Sequence, residues 1–248
     1  RLRPSAPNDA PRFYNDTAIQ TIIKIAAANG VKRVVVGQHG LLSTPAVSAI
    51  IRERGPNWQK PFGSFILTAS HNPGGPDEDF GIKYNCENGG PAPEKLTDEI
   101  YNNTTTIKGY KMCTDFPAID ITTVGSTAVA GADGSKEVTV EVIDSTEVHV
   151  NLLKSIFDFS SIKALLDRPD FTMVYDTMHG VNGPYAKAVF VDELGQPEST
   201  CMNATPKDDF NGGHADPNLT YAKELVATMG LDKKGNKIDV EGSIPSFG

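Results

Sequence analysis

Three cysteines in 248 residues are too few, and Cys86, Cys113 and Cys201 stand too far apart, for a disulfide framework or a zinc cluster. A reducing, cytosolic compartment fits that usage. In that compartment sequons such as Asn203-Ala204-Thr205 are chance matches. Positive charge is also short: 23 Lys and Arg stand against 31 Asp and Glu, for a formal net charge of −8. Without a basic excess or a basic stripe, general nucleic-acid binding is excluded as the expected role. No apolar run approaches the roughly 20 residues of a membrane helix, so no membrane partner is expected. The opening Arg1-Leu2-Arg3-Pro4-Ser5-Ala6-Pro7 has no apolar centre and no initiator Met. It is not a secretory signal as it stands, and the true start is expected upstream. What remains, 39% hydrophobic and 22% charged, is the composition of a soluble globular protein.

The pattern along the chain is α/β. Ile19, Ile22, Ile23 and Ala26 fall at helical spacing and predict a helix over residues 16–29, stopped by Gly30. Val34-Val35-Val36 reads as a buried strand, broken by Gly37-Gln38-His39-Gly40. Ser43-Thr44-Pro45 is a helix start, with a hydroxyl cap and Pro at the first helical position. That helix is expected to run to Arg54, and residues 64–68 form the next strand. Strand, helix and strand in that order predict a βαβ unit with a right-handed crossover. Ligands bind beyond the strand ends in such sheets, which places a site at Ala69. Residues 114–136, rich in Gly, Thr, Ser and Asp, read as a linker. A second unit opens at Val138, where Val138, Val140 and Val142 alternate with polar residues. Its expected helix carries Val148, Leu152, Leu153 and Ile156 on one face. A strand over 171–175 and helices over 184–194 and 220–229 follow.

The most informative loop is Thr68-Ala69-Ser70-His71-Asn72-Pro73-Gly74-Gly75. Pro73 fixes the chain, and the two glycines permit close backbone approach. Such a loop can hold a hydroxyl outward and offer N–H groups to an anion. For an isolated Ser-His pair, a polar surface turn is the plainer reading. Three sharper alternatives fail. Sequence neighbours rarely aim their side chains at each other, and no G-x-S-x-G elbow is present, so a hydrolase dyad is not expected. Asp79-Phe80-Gly81 spells a kinase motif without the rest of the kinase set. Gly74-Gly75 lacks the G-K-[ST] of a P-loop.

Longer strings carry a resemblance. The serine loop resembles the phosphoserine loop of the α-D-phosphohexomutase superfamily. Its extension through Gly74-Gly75-Pro76, Asp79-Phe80-Gly81-Ile82-Lys83-Tyr84-Asn85 and Asn88-Gly89-Gly90-Pro91-Ala92-Pro93-Glu94 is similar to the eukaryotic-type phosphoglucomutases. Residues 37–46, Met178-His179-Gly180-Val181 with Gly183-Pro184-Tyr185, and Asp216-Pro217-Asn218-Leu219-Thr220 match the same family. The resemblance runs collinearly from Phe13 to Met229.

The resemblance implies two related α/β domains with mixed sheets flanked by helices, here residues 1–137 and 138–248. Both would be incomplete. It implies interconversion of glucose 1-phosphate and glucose 6-phosphate through a phosphoserine and glucose 1,6-bisphosphate. Ser70 matches the phosphate carrier, and Lys83 matches a general acid/base or charge stabiliser near the transferred phosphate. His71 and Asn72 match loop residues that orient or hydrogen-bond the phosphate, with His71 in the catalytic set. Mg2+ would bind through the phosphate on Ser70 and three aspartates of a D-G-D-G-D-R loop. His39, His179 and His214 are expected to be structural or interdomain residues. No role is assigned to Trp58. The complete protein is expected to be a cytoplasmic monomer acting on a hexose phosphate. Two departures stand out. The T-S-G-[LY]-R segment is missing, and Asn8-Asp9-Ala10-Pro11-Arg12-Phe13-Tyr14 keeps only the end of G-D-G-R-F-Y. Ser246-Phe247-Gly248 resembles the entry to the metal loop, whose aspartates are absent. Asp77-Glu78-Asp79 reads as a solvated acidic turn. The chain alone is therefore expected to be inactive. The alternative is a non-catalytic regulatory phosphoprotein similar to the parafusin branch.

Overall fold

A computed structural model describes residues 12–53, 59–130 and 137–238. The expectations for residues 8–11, Arg54, Trp58 and 246–248 lie outside the described residues. The chain divides into two compact units. One comprises Tyr14–Leu67 and Ile82–His149. The other comprises the segment ending at Phe13, then Thr68–Gly81, and the chain from Val150 onward.

The first unit begins with α1 (Asn15–Ala28), which turns Ile23 into the interior. Gly30, at φ 85°, ends the helical path as expected. Strands β1 (Arg33–Gly37), β4 (Gly125–Val129) and β5 (Val138–Ile143) form a mixed sheet in the order β1-β5-β4. β5 runs parallel to β1 and antiparallel to β4. The alternation of β5 buries Val138, Val140 and Val142 against Ile23 and Val36. Helix α2 (Thr44–Arg52) starts where Ser43 Oγ accepts the Ala46 N–H at 3.3 Å. Its Val47 and Ile51 cluster with Ile66 of β2 (Gly63–Leu67). β2 pairs antiparallel with β3 (Ile82–Cys86), and α3 (Glu94–Thr106) follows Pro93.

Three sequence expectations change in this unit. β1 and β2 are not neighbours in one sheet: among the described residues β1 pairs with β5, and β2 with β3. Alternating apolar residues reveal a strand but not its partner. β2 and β3 need only a local return to pair, whereas β1 and β5 are far apart in sequence. The expected linker also carries core: Phe116, Ile119 and Ile121 are buried, and β4 is an edge strand. Its Thr, Ser and Gly content reflects the exposed face of that strand rather than a tether. Finally β5, expected to open a second domain, is the central strand beside β1. The division falls inside α4 (Glu147–Ile156).

In the second unit, α5 (Phe159–Leu166) is capped by Asp158, which accepts the Ser161 N–H at 3.1 Å. Two short parallel strands follow, β6 (Tyr175–Asp176) and β7 (Cys201–Met202). The expected strand over 171–175 contracts to β6, because the Phe171 N–H turns back to the Arg168 carbonyl. Helix α6 (Asn182–Ala186) passes into a π-helical stretch, Lys187–Glu193. α7 (Lys223–Thr228) begins later than expected. The Asn218 side-chain oxygen takes the Thr220 and Tyr221 N–H groups and holds those residues in a turn. No described helix is long and apolar enough to cross a membrane.

Candidate active site

The serine loop leaves β2 at Thr68 and returns to β3 after Gly81. Its base is closed by the Thr68 N–H donating to the Gly81 carbonyl at 2.9 Å. A Cβ on Gly81 would fall 2.3 Å from the Thr68 oxygen, so only glycine lets the two arms meet this closely. Within the loop, the Asn72 N–H donates to the Ala69 carbonyl at 3.2 Å. That turn holds Ser70 at φ 58°, in the left-handed region. For a residue with a Cβ this backbone costs on the order of 1–2 kcal/mol. The Ser70 N–H is occupied by Thr68 Oγ1 at 3.0 Å. The side chain stands exposed, and Ser70 Oγ lies 3.2 Å from His71 Nδ1.

The strain is held from below by Arg12, a residue to which the sequence reading gave no role. Arg12 is 3% exposed. Its guanidinium donates to the carbonyls of Pro73 at 2.6 Å, Ser70 at 2.9 Å and Asp79 at 3.4 Å. It lies 5.1 Å from the centre of the Phe210 ring. Burial pulls the guanidinium below its ordinary value, and the charge of Asp79 opposes that pull. Gly74 packs into the same region: a Cβ there would lie 2.6 Å from the Asp208 carbonyl and 2.9 Å from the Phe210 ring. The signal for Arg12 was present in Arg12-Phe13-Tyr14, the matching remnant of a family strand. Nothing local marked it as the anchor of a loop 58 residues away.

The loop brings Ser70, His71 and Asn72 together. The sequence argument against a Ser-His contact is corrected here, because the left-handed turn swings adjacent side chains to the same side. The Asn72 amide donates to the Asp79 carboxylate at 2.7 Å, a bond that ties one arm of the loop to the other. Lys83 stands exposed on β3, opposite Ile66, and belongs to the other unit. It has no ion pair among the described residues. No group of three or more His, Cys, Asp or Glu that could hold a metal ion occurs among the described residues. The donors among the described residues therefore do not make up a magnesium site, and no step below is routed through the metal.

The other histidines make backbone contacts. His179, at φ 57°, has its Nδ1 3.0 Å from the Thr205 carbonyl. His39 also has a positive φ, and its N–H donates to the Ile121 carbonyl at 2.6 Å. His214 stacks on Tyr221 at 3.8 Å between ring centres.

Residues 9–111 match the phosphoglucomutase/phosphomannomutase alpha/beta/alpha domain I. A probable cytoplasmic phosphoglucomutase 2 of Arabidopsis thaliana is 62% identical over 238 residues, 96% of this chain and 40% of that protein. The cytoplasmic phosphoglucomutase of Pisum sativum is 61% identical over the same share. The chain thus spans about 40% of the length of these relatives. Among solved structures, the open form of Paramecium parafusin, described as an exocytosis-sensitive phosphoprotein and a phosphoglucomutase, superposes with a TM-score of 0.84. It is 43% identical and covers 88% of this chain and 39% of its own. A putative phosphomannomutase of Thermus thermophilus, at 22% identity and TM-score 0.62, shares the fold.

Proposed function

We propose that this chain belongs to the phosphoglucomutase/phosphomannomutase family, whose domain I matches residues 9–111, and that Ser70 is the phosphate carrier of a phosphoglucomutase. The observation that carries the reading is the exposed Ser70 hydroxyl, presented by a left-handed turn whose backbone is tied beneath it. In the reaction, the bond between phosphorus and Ser70 Oγ breaks, and a bond forms to a free hydroxyl of glucose 1-phosphate. The hydroxyl loses its proton, and Ser70 Oγ regains one. His71 Nδ1, 3.2 Å from Oγ, is within reach to hold that proton. The glucose 1,6-bisphosphate then turns over and returns its other phosphate to Ser70. Phosphoryl transfer draws on positioning and charge more than on covalent help. Lys83 is assigned the charge that stabilises the transferring oxygens, and Asn72 the shaping of the loop through Asp79. Magnesium, where the complete site holds it, would neutralise phosphoryl charge. The substrate class in this reading is a hexose phosphate, and the plant relatives named cytoplasmic support a cytoplasmic location.

The test is a chimera in which this chain replaces the matching 238 residues of the Arabidopsis relative. With glucose 1,6-bisphosphate labelled in phosphate, the label is expected on Ser70, and Ser70→Ala should reduce it to background. Label retained at the parental stoichiometry would overturn the assignment. The parafusin match supports a second reading, a regulatory phosphoprotein. Phosphate on Ser70 without mutase turnover in the chimera would favour it.

A further inference from the structure

We propose that Arg12 is the positioning residue of the phosphate carrier, fixing the backbone that aims the Ser70 hydroxyl. The inference rests on the reading of Ser70 as that carrier, but its geometry stands apart from it. Arg12 lies 58 residues before Ser70 in the sequence, yet its side chain reaches three loop carbonyls, those of Ser70, Pro73 and Asp79. These carbonyls sample both sides of the turn: Ser70 opens it, Pro73 bends it, and Asp79 lies on the returning arm. A guanidinium is suited to this work because its five donors lie in one rigid plane. A lysine ammonium has three donors at one point and cannot span the same carbonyls.

The cost of this arrangement argues that it is selected for more than packing. A guanidinium at 3% exposure has given up most of its water. Among the described residues it has no ion pair within 4 Å: it bonds three loop carbonyls and faces the Phe210 ring, with the Asp79 charge near enough to act on it. A core position filled for stability alone would take an apolar residue, since burying a charge is expensive unless every donor is used. Here both terminal nitrogens of the guanidinium are used on the segment whose backbone is strained at Ser70. Ser70 holds φ 58° with its carbonyl on Arg12 and its N–H on Thr68 Oγ1. Release of the carbonyl frees the peptide after Ser70 to rotate. The hydroxyl would then sample orientations away from the reacting phosphorus. A misplacement of about 1 Å can cost on the order of a hundredfold in rate.

Two readouts test this. Ala69-Ser70 is the sole Ala-Ser pair in the sequence. Labelling alanine with carbonyl carbon-13 and serine with both carbon-13 and nitrogen-15 therefore isolates the Ser70 amide of the 248-residue chain in NMR spectra, and the Ser70 α- and β-carbon shifts report its backbone. Arg12→Met keeps the apolar stem and removes the donors. The expected result is that the Ser70 shifts leave their left-handed values while the resonances of β1 and β5 stay in place. Phosphate uptake in the chimera, which carries residues 12–81, should fall about 10- to 100-fold. Arg12→Lys should recover less than half of that loss. Millimolar guanidinium ion should partly rescue Arg12→Gly where sodium ion does not. If Arg12→Met fails to fold, the lysine and guanidinium arms still decide. Unchanged Ser70 shifts in folded Arg12→Met, uptake within twofold of the parent, or full recovery with lysine would overturn the proposal. If the parent itself takes up no phosphate, the reading of Ser70 as carrier falls, and the NMR shifts still decide the role of Arg12.

Discussion

Ser70 and His179 both hold left-handed backbone just after a strand, and the two turns are secured in opposite ways. The His179 turn closes on its own neighbourhood. Its N–H donates to the Asn203 carbonyl at 3.1 Å, its carbonyl accepts the Lys207 N–H at 2.9 Å, and its ring meets the Thr205 carbonyl. Its N–H, its carbonyl and its ring Nδ1 are all spent on backbone. In the Ser70 turn the backbone is spent too, on Thr68 and Arg12, but the hydroxyl meets only His71. A turn that must do chemistry leaves one group uncommitted and moves the cost of its geometry to a buried partner. A turn that only joins a strand to a helix has no reason to do so.

The largest expected difference between them is in phosphate transfer. Ser70→Ala should remove label uptake in the chimera, whereas His179→Ala should leave it within twofold of the parent once folded protein is compared. Equal losses in both would mean that the two turns form one functional unit and that the contrast is false. Next in size are the glycines that let each turn pack. A Cβ on Gly183 would sit 1.9 Å from the Ala204 oxygen, and one on Gly81 would sit 2.3 Å from the Thr68 oxygen. Backbone cannot yield as a side-chain tip does, so Gly183→Ala and Gly81→Ala should each cost about 3 kcal/mol. Denaturant midpoints measure both. A cost below about 1 kcal/mol at either position would show that its turn relaxes freely.

The histidines sharpen the comparison at a smaller scale. His179→Ala loses a ring contact to a carbonyl, worth about 1 kcal/mol. His71→Ala loses only a contact between exposed side chains and should leave the melting temperature nearly unchanged. Its effect should appear in transfer, at about 10²-fold for the loss of a positioned acid or base. If His71→Ala lowered stability and spared transfer, His71 would be a second closing residue like His179.

How much of this was legible in the sequence follows the range of each interaction. Helix α1, the Ser43 cap of α2 and strand β5 were readable because their signals lie within one or two turns of chain. The pairing of β5 with β1 was not, since a run of alternating valines fits any neighbour of the right polarity. The burial of Phe116, Ile119 and Ile121 was masked because they lie in irregular chain broken by Pro117 and Asp120, where no helical or strand period can show. At the site, Ser70 and its neighbours were legible through the Pro-Gly loop and the family resemblance. The anchor was not, because an isolated arginine near a chain end has no local pattern. Only the fold brings it under the loop.

The smallest expected effect isolates the strain itself. Alanine and glycine at position 70 both lack the hydroxyl, so comparing Ser70→Ala with Ser70→Gly cancels the loss of the nucleophile. Alanine keeps a Cβ in left-handed backbone, at a cost of about 1–2 kcal/mol. Glycine removes that cost but adds about 0.5–1 kcal/mol of chain entropy in the unfolded state. At the midpoints of these two ranges the balance favours glycine by about 0.75 kcal/mol. For a chain of this length that is about 1–4 °C in melting temperature. The side chain is exposed, so no packing term confuses the difference. In an Arg12→Met background the advantage of glycine should shrink, because a released loop no longer holds residue 70 at φ 58°. Both pairs are measured by scanning calorimetry. Glycine no more stable than alanine in the parent chain would mean that position 70 is not held in the left-handed region, and that the contrast with His179 rests on the side chains alone.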